Sequence, residues 1–344
     1  MSKVGQKERV TQNRVAALLR NELDYTDLGN WEERDGNANV EPDYLRSWLA
    51  GRGVESHLAE KALFELQRLA SVGGVRRLYD ANREVYTALR YGIKVQPEQG
   101  EQKETVWLID WKNPEANDFA FAEEVTVLGE HNKRPDIVLY VNGIAVGVIE
   151  LKRSYISVGE GIRQNIDSQD KKFIEPFFST VQLLFAGNDT EGVRYAPIET
   201  REKYWLEWKE PSEVENKLDA ALIQLCSKER LLELIHDFVV FDAGTKKVAR
   251  HNQYFGVKAA QDRAVKREGG IIWHTQGSGK SLTMVWLAKW IRENIPRARV
   301  LIVTDRTELD EQIETRVFGS VGEDIRRRGH PSHSERRRPH RLTE

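Results

Sequence analysis

Asp136, Glu150 and Lys152 are the residues whose types and spacing first suggest chemistry in this chain. They lie in RPDIVLYVNGIAVGVIELKRS, Arg134 to Ser154, which reads as two β-rich runs joined by a tight turn. Ile137 to Val141 is one run, Asn142-Gly143 the turn, and Ile144 to Leu151 the other. Asn-Gly between apolar β-formers is a strong hairpin signal because both residues tolerate positive φ. Residues two apart on a strand share a face, so Glu150 and Lys152 look the same way. A hairpin folded at Asn142-Gly143 brings Asp136 back beside them. Two carboxylates and an ammonium at one sheet edge can hold a hard divalent cation, such as Mg²⁺, beside a water. The plainer alternative is a pair of strands closed by ordinary surface charges.

A second stretch with chemistry is GGIIWHTQGSGKSLTMVWLAK, Gly269 to Lys289. A short apolar strand, Ile271 to Trp273, enters a glycine-containing loop, and an amphipathic helix leaves it. Gln276, Gly277, Ser278 and Gly279 form that loop. Its glycines let backbone N–H groups approach phosphate oxygens, and the helix N-terminus adds a positive dipole. Lys280 is placed to reach the β/γ-phosphates of ATP and Ser281 to ligate the nucleotide's Mg²⁺. His274 stands where the strict phosphate-loop pattern has its first glycine. RVLIVTD, Arg299 to Asp305, follows as the next parallel strand of such a core should. Asp310-Glu311 resembles the carboxylate pair a motor needs, but it lies on a helical pattern rather than after an apolar strand, and it is set aside.

The elements that must position these groups follow the chain. Amphipathic helices are expected over Glu8 to Arg20, Pro42 to Leu49, Glu55 to Ala70 and Arg76 to Leu89. ETVWLIDW and FAFAEEVTVL read as β-runs leading into the hairpin, and EGIRQNIDSQDKKFIEPFF as a helical segment after it, followed by the apolar run VQLLFAGN. That succession suits an α/β domain with a mixed sheet flanked by helices. Gln164, twelve residues beyond Lys152, can orient a base or a phosphate, although a surface glutamine is the plainer reading. Tyr204, Trp205 and Trp208 can stack on bases, but core or interface packing is preferred. Ser212 and Glu215 form a capping box that should open a helix. A domain boundary is expected between about Pro211 and Gly244.

Composition bounds these readings. The 344 residues suggest two domains, and a net charge of −2 gives no global basic signature, so any polyanion site must be local. Cys226 lies in an apolar helical pattern and reads as a small buried hydrophobe. Neither a signal-peptide core nor a membrane-length apolar run is apparent, which makes a cytoplasmic protein the expectation. After Gly319 periodicity vanishes among arginine triplets, and a disordered or non-native tail is expected over 319–344.

Taken together, the P-D…E-x-K pattern of a large class of metal-dependent nucleases and the phosphate loop resemble the N-terminal part of the R (restriction) subunit of type I restriction-modification enzymes. The carrying segments are NDFAFAEEVTV, KRPDIVLYVNGIAVGVIELKRS, GIRQN, AGNDTEGVRY, KYWLEWKE and WHTQGSGKSLTM, within residues 1–318. The resemblance implies a PD-(D/E)xK nuclease domain over 1–230 and the start of a RecA-like superfamily-two translocase over 231–318. It implies ATP-driven translocation and cleavage of unmodified double-stranded DNA, in a complex with methylation (M) and specificity (S) subunits. Asp136 and Glu150 would ligate Mg²⁺, Lys152 would position the attacking water, and Gln164 would match the Gln of a downstream Q-x-x-x-Y motif, whose Tyr position is Ser168 here. Glu8 would match an acidic residue of the first helix, and Gln253 an adenine-recognising glutamine. The family tolerates His274 in the loop. It continues through a carboxylate motif, a second RecA-like lobe and a helical region that this chain does not carry, so truncation within the first motor lobe is the expectation. Two other readings stay open: a motor fragment whose nuclease-like sheet only binds DNA, and a non-catalytic remnant.

Overall fold

The hairpin turn explains much of the fold around it. Asn142 and Gly143 take φ of 53° and 78°, the paired positive values a two-residue turn requires. Asn142 is fully buried, and its side chain binds three neighbours. Its Oδ1 accepts from the Asp118 N–H at 2.8 Å, while Nδ2 donates to the Leu108 carbonyl and Asn117 Oδ1, each at 2.9 Å. A Cβ on Gly143 would come within 2.7 Å of Tyr44 Cβ, so the glycine is needed for contact as well as for φ.

The computed structural model describes residues 3–98 and 100–303, with side chains from residue 9 onward. In chain order the elements are α1 (Lys3–Asn21), β1 (Thr26–Asn30), α2 (Pro42–Gly51), α3 (Ser56–Ala70), α4 (Leu78–Tyr91), β2 (Ile93–Val95), β3 (Glu104–Val106), β4 (Phe119–Glu123), β5 (Ile137–Val141) and β6 (Ile144–Leu151). They continue with α5 (Val158–Ser168), β7 (Leu183–Asn188), β8 (Gly192–Ala196), β9 (Leu206–Glu207), α6 (Lys217–Cys226), α7 (Lys228–Asp237), β10 (Val239–Asp242), β11 (Thr245–Val248), α8 (His251–Lys266) and α9 (Lys280–Asn294). The described residues divide into two compact units, one within 3–239 and 244–255, the other within 240–243 and 256–303.

The first unit is built on a seven-stranded mixed sheet in the order β1-β4-β5-β6-β7-β8-β9. β1 and β4 run parallel, as do β6 and β7, and the other pairs are antiparallel. This is the mixed sheet flanked by helices that the order of elements led one to expect. On one face Val138, Val148, Leu184 and Ala186 pack against Val158 and Ile162 of α5. On the other, a Cβ at Gly187 would come within 2.6 Å of Leu218 Cδ1 of α6, which seats that helix against the strand.

The β5–β6 ladder contains one irregularity that matters later. Val141 pairs with Ile144 and Tyr140 with Ala145, but Leu139 pairs with Gly147, leaving Val146 as an extra residue in β6. This is a β-bulge. Its carbonyl accepts the Gln182 N–H at 2.8 Å. Gln182 is itself held: its Oε1 accepts from the buried Lys246 ammonium at 2.6 Å, and Lys246 also donates to Asn82 Oδ1 at 2.8 Å. Asn82 in turn donates to the carbonyls of Phe178, Ser179 and Val181, fixing the turn that leads into β7.

Several expectations are corrected in detail. The helix expected to open at Ser212 starts at Lys217, because Asn216 caps it by accepting from the Leu218 and Asp219 N–H groups at 2.9 and 3.1 Å. The run ETVWLIDW is a strand only over Glu104–Val106, since Asp110 Oδ1 accepts from the N–H groups of Lys112 and Asn113 and folds the rest into a turn. Ile271 to Trp273 forms no strand, and Ile271 and Trp273 are exposed. Among the described residues it has no ladder partner, and a run without a neighbouring strand does not form one by itself. The companion run RVLIVTD is likewise not a strand over 299–303, and its remainder, Asp310-Glu311 and the 319–344 segment lie outside the described residues. Trp205, Trp208 and Cys226 are buried, and burial pushes the Cys226 thiol up to about 12.

Two outcomes are expected. Asn142→Ala leaves the Asp118 N–H and Leu108 carbonyl unpaired and should lower unfolding free energy by about 2–4 kcal/mol, read from urea midpoints, with Asn142→Gly recovering only part. Burial holds the Lys246 ammonium well below its ordinary pKa, so the folded chain binds its proton less readily than the unfolded one. The stability tied to Lys246 should therefore be complete above an unfolded value of about 10.4 and fall as pH drops toward the depressed folded value. Melting curves of wild type and Lys246→Met across alkaline to neutral pH should diverge in that direction.

Candidate active site at the open end of the hairpin

Register determines what meets at the hairpin's open end. Ile137 pairs with Ile149, and one step further places Asp136 opposite Glu150. Directly opposed residues of an antiparallel pair point to the same face. The Val146 bulge is what makes this so: the uninterrupted ladder from Asn142-Gly143 would oppose Asp136 to Ile149 and send Glu150 to the other side. The Leu151 N–H donates to Asp136 Oδ2 at 2.7 Å and holds that carboxylate across the strand end. β7 extends the edge, with Glu150 beside Ala186, and the Lys152 N–H donates to the Gly187 carbonyl at 2.8 Å.

The three charged groups have different surroundings. Asp136 and Lys152 are half-buried, whereas Glu150 is 0% exposed and neither of its carboxylate oxygens has a hydrogen-bond partner. Burial foremost, then the negative charge and close side-chain approach of Asp136, push the Glu150 carboxyl well above the usual carboxylate range, while Lys152 and Lys133 pull it down. The Lys152 ammonium donates to the Leu151 carbonyl at 3.1 Å. α5 lies over these groups through Gly161, where a Cβ would sit 3.5 Å from both the Glu150 carbonyl and Lys152 Cγ.

The other candidates are placed as follows. Gln164 is half-buried on α5, one turn past Gly161, and its carbonyl accepts from Ser168 Oγ at 2.8 Å. Ser168, at the position of the expected Tyr, is buried in that bond and presents nothing to the site. Glu8 falls on α1, with its side chain outside those described. Four residues on, Gln12 donates to the Asp136 carbonyl at 3.3 Å, a contact between residues 124 apart that no local pattern announces. Lys133 is a second group missed in the sequence. Its spacing from Asp136 was visible, but the reach of its charge to Glu150 depends on the fold. Gln253 is buried, and its Oε1 accepts from the Arg250 N–H at 2.9 Å, satisfying a backbone donor at the start of α8.

In the second unit, Gly277 and Gly279 take φ of 77° and 84°, and Gly279 precedes Lys280 at the first position of α9. Ser278 Oγ donates to the Thr275 carbonyl at 2.7 Å, which tightens the loop, and the Lys280 ammonium donates to the His274 carbonyl at 3.3 Å. Gln276 is exposed and Ser281 half-buried. The His274 ring packs on α8, where a Cβ at Gly256 would lie 3.3 Å from its Cε1 and Nε2. Among the described residues no three His, Cys, Asp or Glu side chains gather as a metal-binding group, and no helix is long and apolar enough to cross a membrane.

Comparison with known proteins identifies relatives of this chain. Residues 252–336 match the SWI2/SNF2 ATPase family. The chain is 30% identical over 276 residues to the putative type I restriction enzyme MjaIXP endonuclease subunit of Methanocaldococcus jannaschii, covering 69% of this chain and 26% of that protein. It is 29% identical over 318 residues to the type I restriction enzyme HindI endonuclease subunit of Haemophilus influenzae, covering 83% and 29%. A type I restriction enzyme endonuclease subunit of Staphylococcus aureus is 24% identical over 261 residues, covering 73% and 27%. The chain thus spans about a quarter to under a third of the length of these relatives. Residues 5–203, more than half of the chain, match the family described as type I restriction enzyme R protein N terminus, and the protein belongs to that family.

Proposed function

We propose that this chain carries the nuclease centre of a type I restriction endonuclease R subunit and hydrolyses phosphodiester bonds of unmodified double-stranded DNA with Mg²⁺. On this reading residues 1–230 form a PD-(D/E)xK nuclease domain, and residues 231–318 begin a RecA-like motor that binds ATP. Translocation would belong to the full complex with M and S subunits. The observation that carries the reading is Glu150: a fully buried carboxylate with no hydrogen-bond donor, facing Asp136 on one sheet face.

A buried carboxylate left without a partner is costly unless something cationic completes it. Two carboxylates facing each other suit a hard divalent cation, and Asp136 and Glu150 would hold it. When bound, such a cation polarises the phosphoryl oxygens and makes a water acidic enough to attack. The chain's own groups then have separate tasks. The Leu151 N–H fixes the orientation of the Asp136 carboxylate. Lys152 would place its ammonium where the attacked phosphate gathers negative charge, and its tether to the Leu151 carbonyl holds it close to the strand end. The water oxygen adds to phosphorus as its proton leaves to solvent, the opposite P–O ester bond breaks, and the departing oxygen takes a proton from solvent to become a hydroxyl. Gln164 would position base or phosphate from α5. In the motor segment Gln276, Gly277, Ser278 and Gly279 would cradle the phosphates, Lys280 would pair with them, Ser281 would hold the nucleotide's Mg²⁺, and Gln253 would read the adenine.

Three variants test this. Asp136→Ala should abolish metal-dependent cutting of duplex DNA, by about 10³-fold or more, with a circular dichroism spectrum like that of wild type. Unchanged cutting would sink the nuclease reading. Lys280→Ala should remove ATP binding in a fluorescent-nucleotide titration and leave basal metal-dependent cutting intact. If Asp136→Ala instead changes nothing while Lys280→Ala removes all activity, the chain is a motor fragment with a DNA-binding sheet. Glu150→Gln removes a buried charge, so without divalent cation it should melt higher than wild type at pH 8, by at least about 2–4 °C. Mg²⁺ or Mn²⁺ should raise the melting temperature of wild type and not of this variant.

A further inference from the structure

Two loops beside the open end of the hairpin bring two lysines to one phenylalanine. Lys133 lies three residues before Asp136, and Lys172 four residues past the end of α5. Their ammonium groups stand 4.0 and 5.1 Å from the centroid of the Phe173 ring. The His131 ring packs there too, 5.9 Å between centroids. The loops are tied together: the His131 N–H donates to the Lys172 carbonyl at 2.9 Å, and any Cβ at Gly129 would collide with the Phe173 carbonyl oxygen.

The ion pairing of this cluster differs from its surroundings. Nearby Arg134 is paired with Glu124 and Glu32, and Arg163 on α5 with Glu160 and Glu202. Among the described residues neither Lys133 nor Lys172 has a carboxylate at ion-pair distance, and each is steadied by the ring instead. An aromatic face orients an ammonium without pairing it to a carboxylate, so both ammonium groups stay available to an external anion. Lys133 is also near enough to the catalytic edge for its charge to act on Glu150. Three residues of extended chain span at most about 10 Å, which a DNA strand covers in roughly three nucleotides of rise.

We propose that Lys133 and Lys172, seated on Phe173, form a clamp for the phosphates of duplex DNA a few nucleotides from the bond to be cut. This rests on the nuclease reading above. Lysine ammonium groups bind phosphate as point charges and read no bases, so the clamp would hold any sequence.

The test is fluorescence anisotropy of a short labelled DNA duplex with the full chain, in EDTA so that nothing is cut, across a salt series. Lys133→Gln/Lys172→Gln should reduce the slope of log affinity against log salt by about 2 and weaken binding roughly 50-fold at 0.1 M salt, since each lost phosphate contact removes about 0.9 from the slope. Lys133→Arg/Lys172→Arg should restore both values, and Lys94→Gln, an exposed lysine elsewhere, should change neither. Wild-type slope and affinity in the double glutamine variant would overturn the clamp while leaving the nuclease reading intact. A wild-type chain that neither binds nor cuts duplex DNA would overturn both. Should the double variant fail to fold, Lys172→Gln alone decides: Lys172 is exposed, and a slope loss of about 1 supports the clamp whereas no loss refutes it.

Discussion

The β-bulge at Val146 determines on which face of the sheet Glu150 emerges. β-strand side chains alternate, so one added residue between the Asn142-Gly143 turn and the strand end reverses the face of everything beyond it. Asp136 and Glu150 meet because of that reversal. The bulge is in turn held by Gln182, and Gln182 by Lys246 and the turn that Asn82 secures. The polar core of the first unit therefore supports the geometry of the charged edge, although Lys246 is about a hundred residues further along the chain than the groups it helps align.

Around this edge the structure tolerates an arrangement that ordinary packing would remove. A glutamate with no exposed surface and no hydrogen-bond partner opposes folding, and the nearby Asp136 charge increases the penalty. Such local conflict is what a site prepared for a cation would carry, since charge repulsion between carboxylates and burial are both relieved when a divalent ion sits between them. Among the cationic residues nearby, Arg134 and Arg163 are matched to glutamates and fasten loops and helices together, whereas Lys133 and Lys172 rest on an aromatic ring. The lysine pair suits the proposed DNA partner, and it agrees with a chain whose net charge of −2 requires any polyanion site to be local.

Much of this architecture was legible in sequence. The four N-terminal helices, the hairpin and its turn, and the alternation of strands and helices follow from periodicity and from residues with special backbone preferences. The glycine turn before α9 could also be read, because Gly277 and Gly279 adopt the positive φ that their identity allows. β1 and β8 were not foreseen, since Thr26–Asn30 and Gly192–Ala196 lack strong alternation and become strands only because neighbours offer a ladder. The apolar run Ile271 to Trp273 shows the converse, with suitable composition and no described neighbour to pair with.

The division is the same within the site. Sequence by itself determined that Asp136, Glu150 and Lys152 belong to one hairpin and that Asn142-Gly143 turns it, because type and spacing control local conformation. It did not contain the bulge, the complete burial of Glu150, the contact of Gln12 or the pairing of Lys133 with Lys172 on one ring. Those depend on which distant segments lie alongside, and only the tertiary structure decided them: register and burial are properties of the partners a strand acquires, not of the strand alone.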